Sequence, residues 1–239
     1  MIANPRDRQI VLLVNQFHQL TSGHVRDLVF HDTTGMPPFR ALKRLVESRH
    51  LVRIEKKMAG GSSGGSGQYV YQLGSEGWKL ARREGRYYPQ SAVNYHTLAI
   101  ADVHVQLKKL ERTGEIKIIG FMNEFDSAVI IGGAKLTPDY QVEIGIPAKR
   151  QSLSLWIEID LGTERPKQIK DKLMRYWHAY QNATEHDLAT FPVVLFLAPD
   201  EERVKELRWV ISRGDEETRA LFMVGLMSDF PEIDVLTTT

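Results

Sequence analysis

The chain has 239 residues, 42% of them hydrophobic, and a formal net charge of +1 that is unevenly spread: residues 1–85 hold 13 Lys/Arg against 7 Asp/Glu, about +6, leaving about −5 for the remainder. With no cysteine, a disulfide framework, a thiolate zinc site, an iron-sulfur cluster and a cysteine nucleophile are all excluded. No run nears the roughly 18 apolar residues of a membrane span and the first residues lack a signal-peptide pattern, so a cytoplasmic protein without membrane contact is expected.

In chain order, "RDRQIVLLVNQFHQL" places Ile10, Leu13, Phe17 and Leu20 at helical spacing, and Thr21 and Ser22 offer an N-cap to a short second helix, "SGHVRDLVF". Two prolines open a third helix, "PPFRALKRLVESRH", with Phe39, Leu42, Leu45 and Val46 on an apolar face and Arg40, Lys43, Arg44 and Glu47 opposite. "LVRIEKK" and "QYVYQLG" alternate apolar and polar residues as half-buried strands do, so the Gly/Ser run between them reads as a hairpin tip. Three helices and a hairpin in this order describe a winged helix-turn-helix over residues 1–85, closed by a fourth helix, "SEGWKLARREG", with Trp78 in its core. In that arrangement Arg40, Lys43 and Arg44 enter the major groove of double-stranded DNA, while Arg53, Lys56 and Lys57 meet phosphates at the base of the wing. Such binding needs no cofactor. A second copy of the chain is a candidate partner, because winged helices on palindromic sites often work as dimers.

Residues 86–94, "RYYPQSAVN", read as a linker. The second domain, 95–239, begins with a long amphipathic helix built on Leu98, Ile100, Val103, Val105, Leu107 and Leu110. Strand-like runs follow, "EIKIIGFM", "SAVIIG", "LTPDYQVEI" and "SLSLWIEIDLG", then helix, strand, helix and strand. The overall class is therefore α+β with two domains, the second a mixed sheet flanked by helices. Asp139 follows Pro138 on one strand, and Glu158 and Asp160 lie two apart on the next, hence on one face. Paired strands bring the three carboxylates together, and such a cluster is neutralised by a Mg²⁺-type cation. The Gly/Ser run lacks a following Gly-Lys-Ser/Thr, which argues against a P-loop. The eight histidines show no H-E-x-x-H, which argues against a zinc hydrolase.

"TPDYQVEI", "LWIEID" and a following helix with Lys172 and Tyr176 resemble the core of the PD-(D/E)xK nuclease superfamily. More narrowly, "HTLAIADVHVQL", Pro138-Asp139, "IEIDLGTE" and "KLMRY" resemble the replication-relaxation family of plasmids and integrative elements, which joins a winged-helix domain to a nuclease-like domain. The resemblance covers nearly the whole chain. It implies a DNA-binding regulator or accessory factor of a mobile element, acting in replication, transfer or transcription. For an active nuclease it implies a catalytic set of Asp139, Glu158, Asp160 and Lys172, with Mg²⁺ or Mn²⁺ held by Asp139, Glu158 and Asp160. The chain departs from the superfamily where a water-positioning Lys is usual: that position is Asp160, whose charge is reversed. Lys172 can take the role from the next helix and Glu124 can add a carboxylate; otherwise the domain is a scaffold without cleavage, or a dimerisation or partner-binding module.

Overall fold

In the computed structural model, which describes residues 4–58, 68–214 and 216–231, Asn4 caps the first helix, α1 (Pro5–Phe17), by accepting from the amides of Arg6 and Asp7. Ile10, Val11, Val14 and Phe17 are its buried stripe, each contributing about 1.5 to 3 kcal/mol by leaving water. A three-residue strand, β1 (Gln19–Thr21), leads directly into α2 (Ser22–Val29). Thr21 closes a capping box with His24: its hydroxyl accepts the His24 amide while the Thr21 amide donates to His24 Nδ1, an arrangement worth about 1 kcal/mol.

The third helix, α3 (Pro37–Glu47), buries Pro38, Ala41, Leu42 and Leu45. Phe39, expected on the apolar face, is instead exposed, because it lies about 100° round the helix from Pro38, past the edge of the buried stripe. Strands β2 (Leu51–Met58) and β3 (Gln68–Leu73) form the hairpin, and β1 pairs antiparallel with β3, giving the sheet order β1-β3-β2. The Gly/Ser run expected at the tip lies outside the described residues. A short α4 (Ser75–Leu80) follows; Gly77 rests on the backbone carbonyl of His50, leaving no space there for a Cβ.

Residues 86–94 form no helix or strand, yet two glutamines of the sheet hold them. Gln72 donates to the Gln90 carbonyl and accepts its amide, at 2.6 and 2.9 Å. Gln19 donates to the Ala92 carbonyl and accepts the Asn94 amide. Asn94 in turn accepts from His96 and Thr97 at the start of α5 (Tyr95–Thr113). The chain divides into two compact units within that helix, 1–105 and 106–239, which is downstream of the stretch read as a linker.

In the second unit, β4 (Lys117–Asn123) is followed by a small hairpin, β5 (Val129–Ile131) and β6 (Ala134–Leu136), turned by Gly132 and Gly133 at positive φ. Next come β7 (Tyr140–Ile146), a 3₁₀ turn at Pro147–Lys149, β8 (Gln151–Ile159), α6 (Pro166–Asn182), β9 (Val193–Ala198), α7 (Glu201–Ile211), α8 (Glu216–Ala220) and β10 (Phe222–Leu226). The sheet runs β10-β9-β8-β7-β4, antiparallel on the β4 side and parallel on the β10 side. Its parallel strands are joined through α6 and α7, as parallel pairing requires. Trp156, Ile169, Leu173, Phe196, Leu207 and Phe222 belong to the core between the sheet and these helices. The class is thus α+β, as the order of sequence periodicities predicts.

Candidate functional site

Antiparallel pairing sets Tyr140 opposite Ile157. Continuing that register sets Asp139 opposite Glu158, and directly opposed residues share a face with Cβ atoms about 4.5 to 5.5 Å apart. Both acids are buried. Asp139 Oδ2 accepts the backbone amide of Ile159 at 2.7 Å. The Glu124 carboxylate, just beyond β4, has an oxygen within 4.8 Å of one on Asp139.

From α6, Lys172 and Tyr176 sit one turn apart and converge on the same carboxylate. Lys172 Nζ is 2.8 Å from Glu158 Oε2, and the Tyr176 hydroxyl donates to Oε1. Lys172 also reaches Glu164 Oε1 at 3.0 Å. Burial, followed by repulsion from Asp139, pushes the Glu158 carboxyl up to about 7, with Lys172 and Tyr176 pulling the other way. For Lys172, burial opposes the ammonium, but the charge and hydrogen bond of Glu158 outweigh it and raise its pKa. Burial also carries the Tyr176 phenol well above its ordinary value, and the Glu158 charge adds to this. Tyr176 therefore stays a donor at any physiological pH. The site is a carboxylate pair able to carry a proton near neutrality, with a fixed cation beside it.

Asp160 is bound elsewhere. Its Oδ2 accepts from Arg203 of α7 at 2.9 and 3.2 Å, and its Oδ1 accepts the Gly162 amide at 2.6 Å. Arg203 donates further to the Glu164 carbonyl and the Glu206 carboxylate. The structure thus gathers Asp139, Glu158 and Lys172 and gives Asp160 a separate buried partner. Sequence reading missed Arg203 and Glu164. The available signal was an Arg in the first turn of "DEERVKEL", a place that otherwise favours acids.

In the first unit, Arg44 is paired in bidentate fashion with the buried Asp7, Nη2 to Oδ1 at 2.7 Å and Nε to Oδ2 at 2.8 Å, fastening α3 to α1. Arg40 and Lys43 are exposed on α3, with Lys43 3.8 Å from Glu47. Arg53 on β2 stacks over Tyr69 of β3, 4.3 Å from the ring centroid. Lys56 and Lys57 are in β2, and their side chains lie outside the described residues.

A family model described as replication-relaxation matches residues 12–194, and the chain belongs to that family. Membership suggests a role in the replication or transfer of a plasmid or other mobile element. No curated protein and no solved structure matches the chain. No described helix is long and apolar enough to cross a membrane.

Proposed function

We propose that the first unit is a winged helix-turn-helix that binds double-stranded DNA, and that the protein serves a mobile element as a regulator or accessory factor in replication, transfer or transcription. The observation that carries this reading is the outward face of α3, where Arg40 and Lys43 stand exposed beside the antiparallel β2–β3 hairpin. Arg44, engaged by Asp7, holds α3 in position, while Arg53, Lys56 and Lys57 belong to the strand that would meet the DNA backbone. The second unit is proposed to be a PD-(D/E)xK nuclease-like domain kept as a scaffold. The test is fluorescence anisotropy with a labelled duplex across a salt series. Arg40→Ala with Lys43→Ala should weaken binding by about 1 to 3 kcal/mol per lost contact and flatten the salt dependence. Binding left unchanged by that double substitution would sink the proposal.

A second reading, a Mg²⁺- or Mn²⁺-dependent endonuclease or nickase, is favoured by the Lys172 ammonium on Glu158 beside Asp139. The donor set fits a hard cation, being anionic, all-oxygen and buried. Asp139 and Glu158 would hold the ion, which would supply charge neutralisation and Lewis acidity at a phosphate oxygen. Lys172 would orient water, and Asp160 would act through Arg203 and the Glu164 loop more readily than as a third ligand. Supercoiled plasmid incubated with Mg²⁺, Mn²⁺ or EDTA separates the readings. Metal-dependent nicking that disappears in Asp139→Ala supports an enzyme; DNA binding without cutting in any metal supports the scaffold.

A further inference from the structure

Between α6 and the end of α7, the second unit has an open groove of about 710 Å³. Met174 and Trp209 line it and are 53% and 57% exposed, while the buried Phe222 closes it toward the sheet. Lys167, Lys170 and Met174 follow one another at i, i+3 and i+7 along one stripe of α6. Across from them Arg213, just beyond α7, lies 4.6 Å from the Trp209 ring centroid. Among the described residues lining the groove, three carry positive charge and none a carboxylate. A protein leaves two large apolar side chains in water beside three cations at the cost of solubility, and such patches mark interaction sites.

We propose that this groove docks an acidic amphipathic helix of a partner protein, whose Leu or Phe side chains fill the apolar floor and whose Asp or Glu residues meet Lys167, Lys170 and Arg213. Apolar anchors at i, i+3, i+4 and i+7 match a trough between two helices. Trp, Met and Arg are the side chains enriched in the centres of such interfaces. A nucleic-acid strand is the poorer occupant: the walls are chiefly aliphatic and thioether surface, and the Arg213 guanidinium already covers one face of the only aromatic ring exposed there among the described lining residues. None of Asp139, Glu158, Lys172 and Tyr176 is among the described residues lining the groove, and the inference rests on neither function reading.

The test titrates the full chain against a fluorescein-labelled designed helix of about 18 residues, Leu and Phe on one face and Glu on its flanks. Saturable binding is expected, weakened about tenfold or more by Trp209→Ala and by Lys167→Glu with Lys170→Glu. A peptide with every Glu replaced by Lys should prefer the charge-reversed protein over the wild type. Circular dichroism and thermal unfolding should match wild type for both variants, which are altered only at exposed positions. Binding that is absent, or equal in wild type and variants, overturns the proposal. So does a single-stranded oligonucleotide or a phosphatidylglycerol vesicle that binds through Trp209 and the lysines while the acidic peptide does not.

Discussion

The Lys172 ammonium lies 2.8 Å from the Glu158 carboxylate, a cation held against a buried acid that burial and Asp139 push up to about 7. A Glu in the unfolded chain titrates near ~4.3, so between there and about 7 the folded state binds more protons than the unfolded one. The Glu158 contribution to stability is therefore fully present below the lower value and falls as pH rises across that window. Glu158→Gln should flatten this slope, as measured by urea unfolding at several pH values. An unaltered slope in the variant would assign the titration to another group.

The same site predicts how a metal should behave. A cation entering beside Asp139 must displace the Glu158 proton, so Mn²⁺ should raise the melting temperature more at pH 8 than at pH 6. Asp139→Ala should abolish the rise at both. A rise that survives Asp139→Ala would mean the ion binds at a different place.

Arg203 and Asp160 form a pair buried on both sides. Arg203→Ala leaves Asp160 charged and without its partner, and should cost about 3 to 5 kcal/mol of unfolding free energy. Asp160→Asn with Arg203→Met should recover part of that loss, since removing both charges relieves the buried one. Denaturant titration checks both, and a loss below 1 kcal/mol for Arg203→Ala would show that water reaches Asp160 freely.

On α3, adjacent cations should separate by experiment. Arg44→Ala strands the buried Asp7 and should cost about 1 to 3 kcal/mol of stability. Arg40→Ala and Lys43→Ala, exposed on that helix, should leave stability within about 0.5 kcal/mol of wild type. Their effect should instead fall on duplex affinity. Equal stability losses at Arg40 and Arg44 would contradict the division of labour.

Strong periodicity was legible. The strand-like runs "LTPDYQVEI" and "SLSLWIEIDLG" foretold β7 and β8, and the helical patterns foretold α1, α5, α6 and α7. Short or tertiary features were not. β1 has three residues, all buried, too few to show a period, and exists because β3 offers it an edge. The run "SAVIIG" ends in the Gly132-Gly133 turn, and β6 beyond it, three residues long, is too short to show a period. Asp139 and Glu158 could be set on neighbouring strands because strand geometry alone decides their face. Asp160 reads in sequence as a third carboxylate of that group, whereas its partner in the structure is Arg203, 43 residues away on α7, a contact that no local pattern records. Gln19 and Gln72 read as ordinary strand residues, and only the fold shows them gripping residues 86–94.

The four residues between Ile146 and Gln151, with Arg150 in the left-handed region at φ 53°, act as a ruler for a site at the far ends of the strands they join. They fix which residue of β7 meets which of β8, and so make Asp139 and Glu158 neighbours. A change in that turn that slipped the pairing by one residue would send every β8 side chain, Glu158 among them, to the opposite side of the sheet from its present partners. Remote loop edits at Pro147–Arg150 can thus disarm the acidic pair without touching any residue of the site itself.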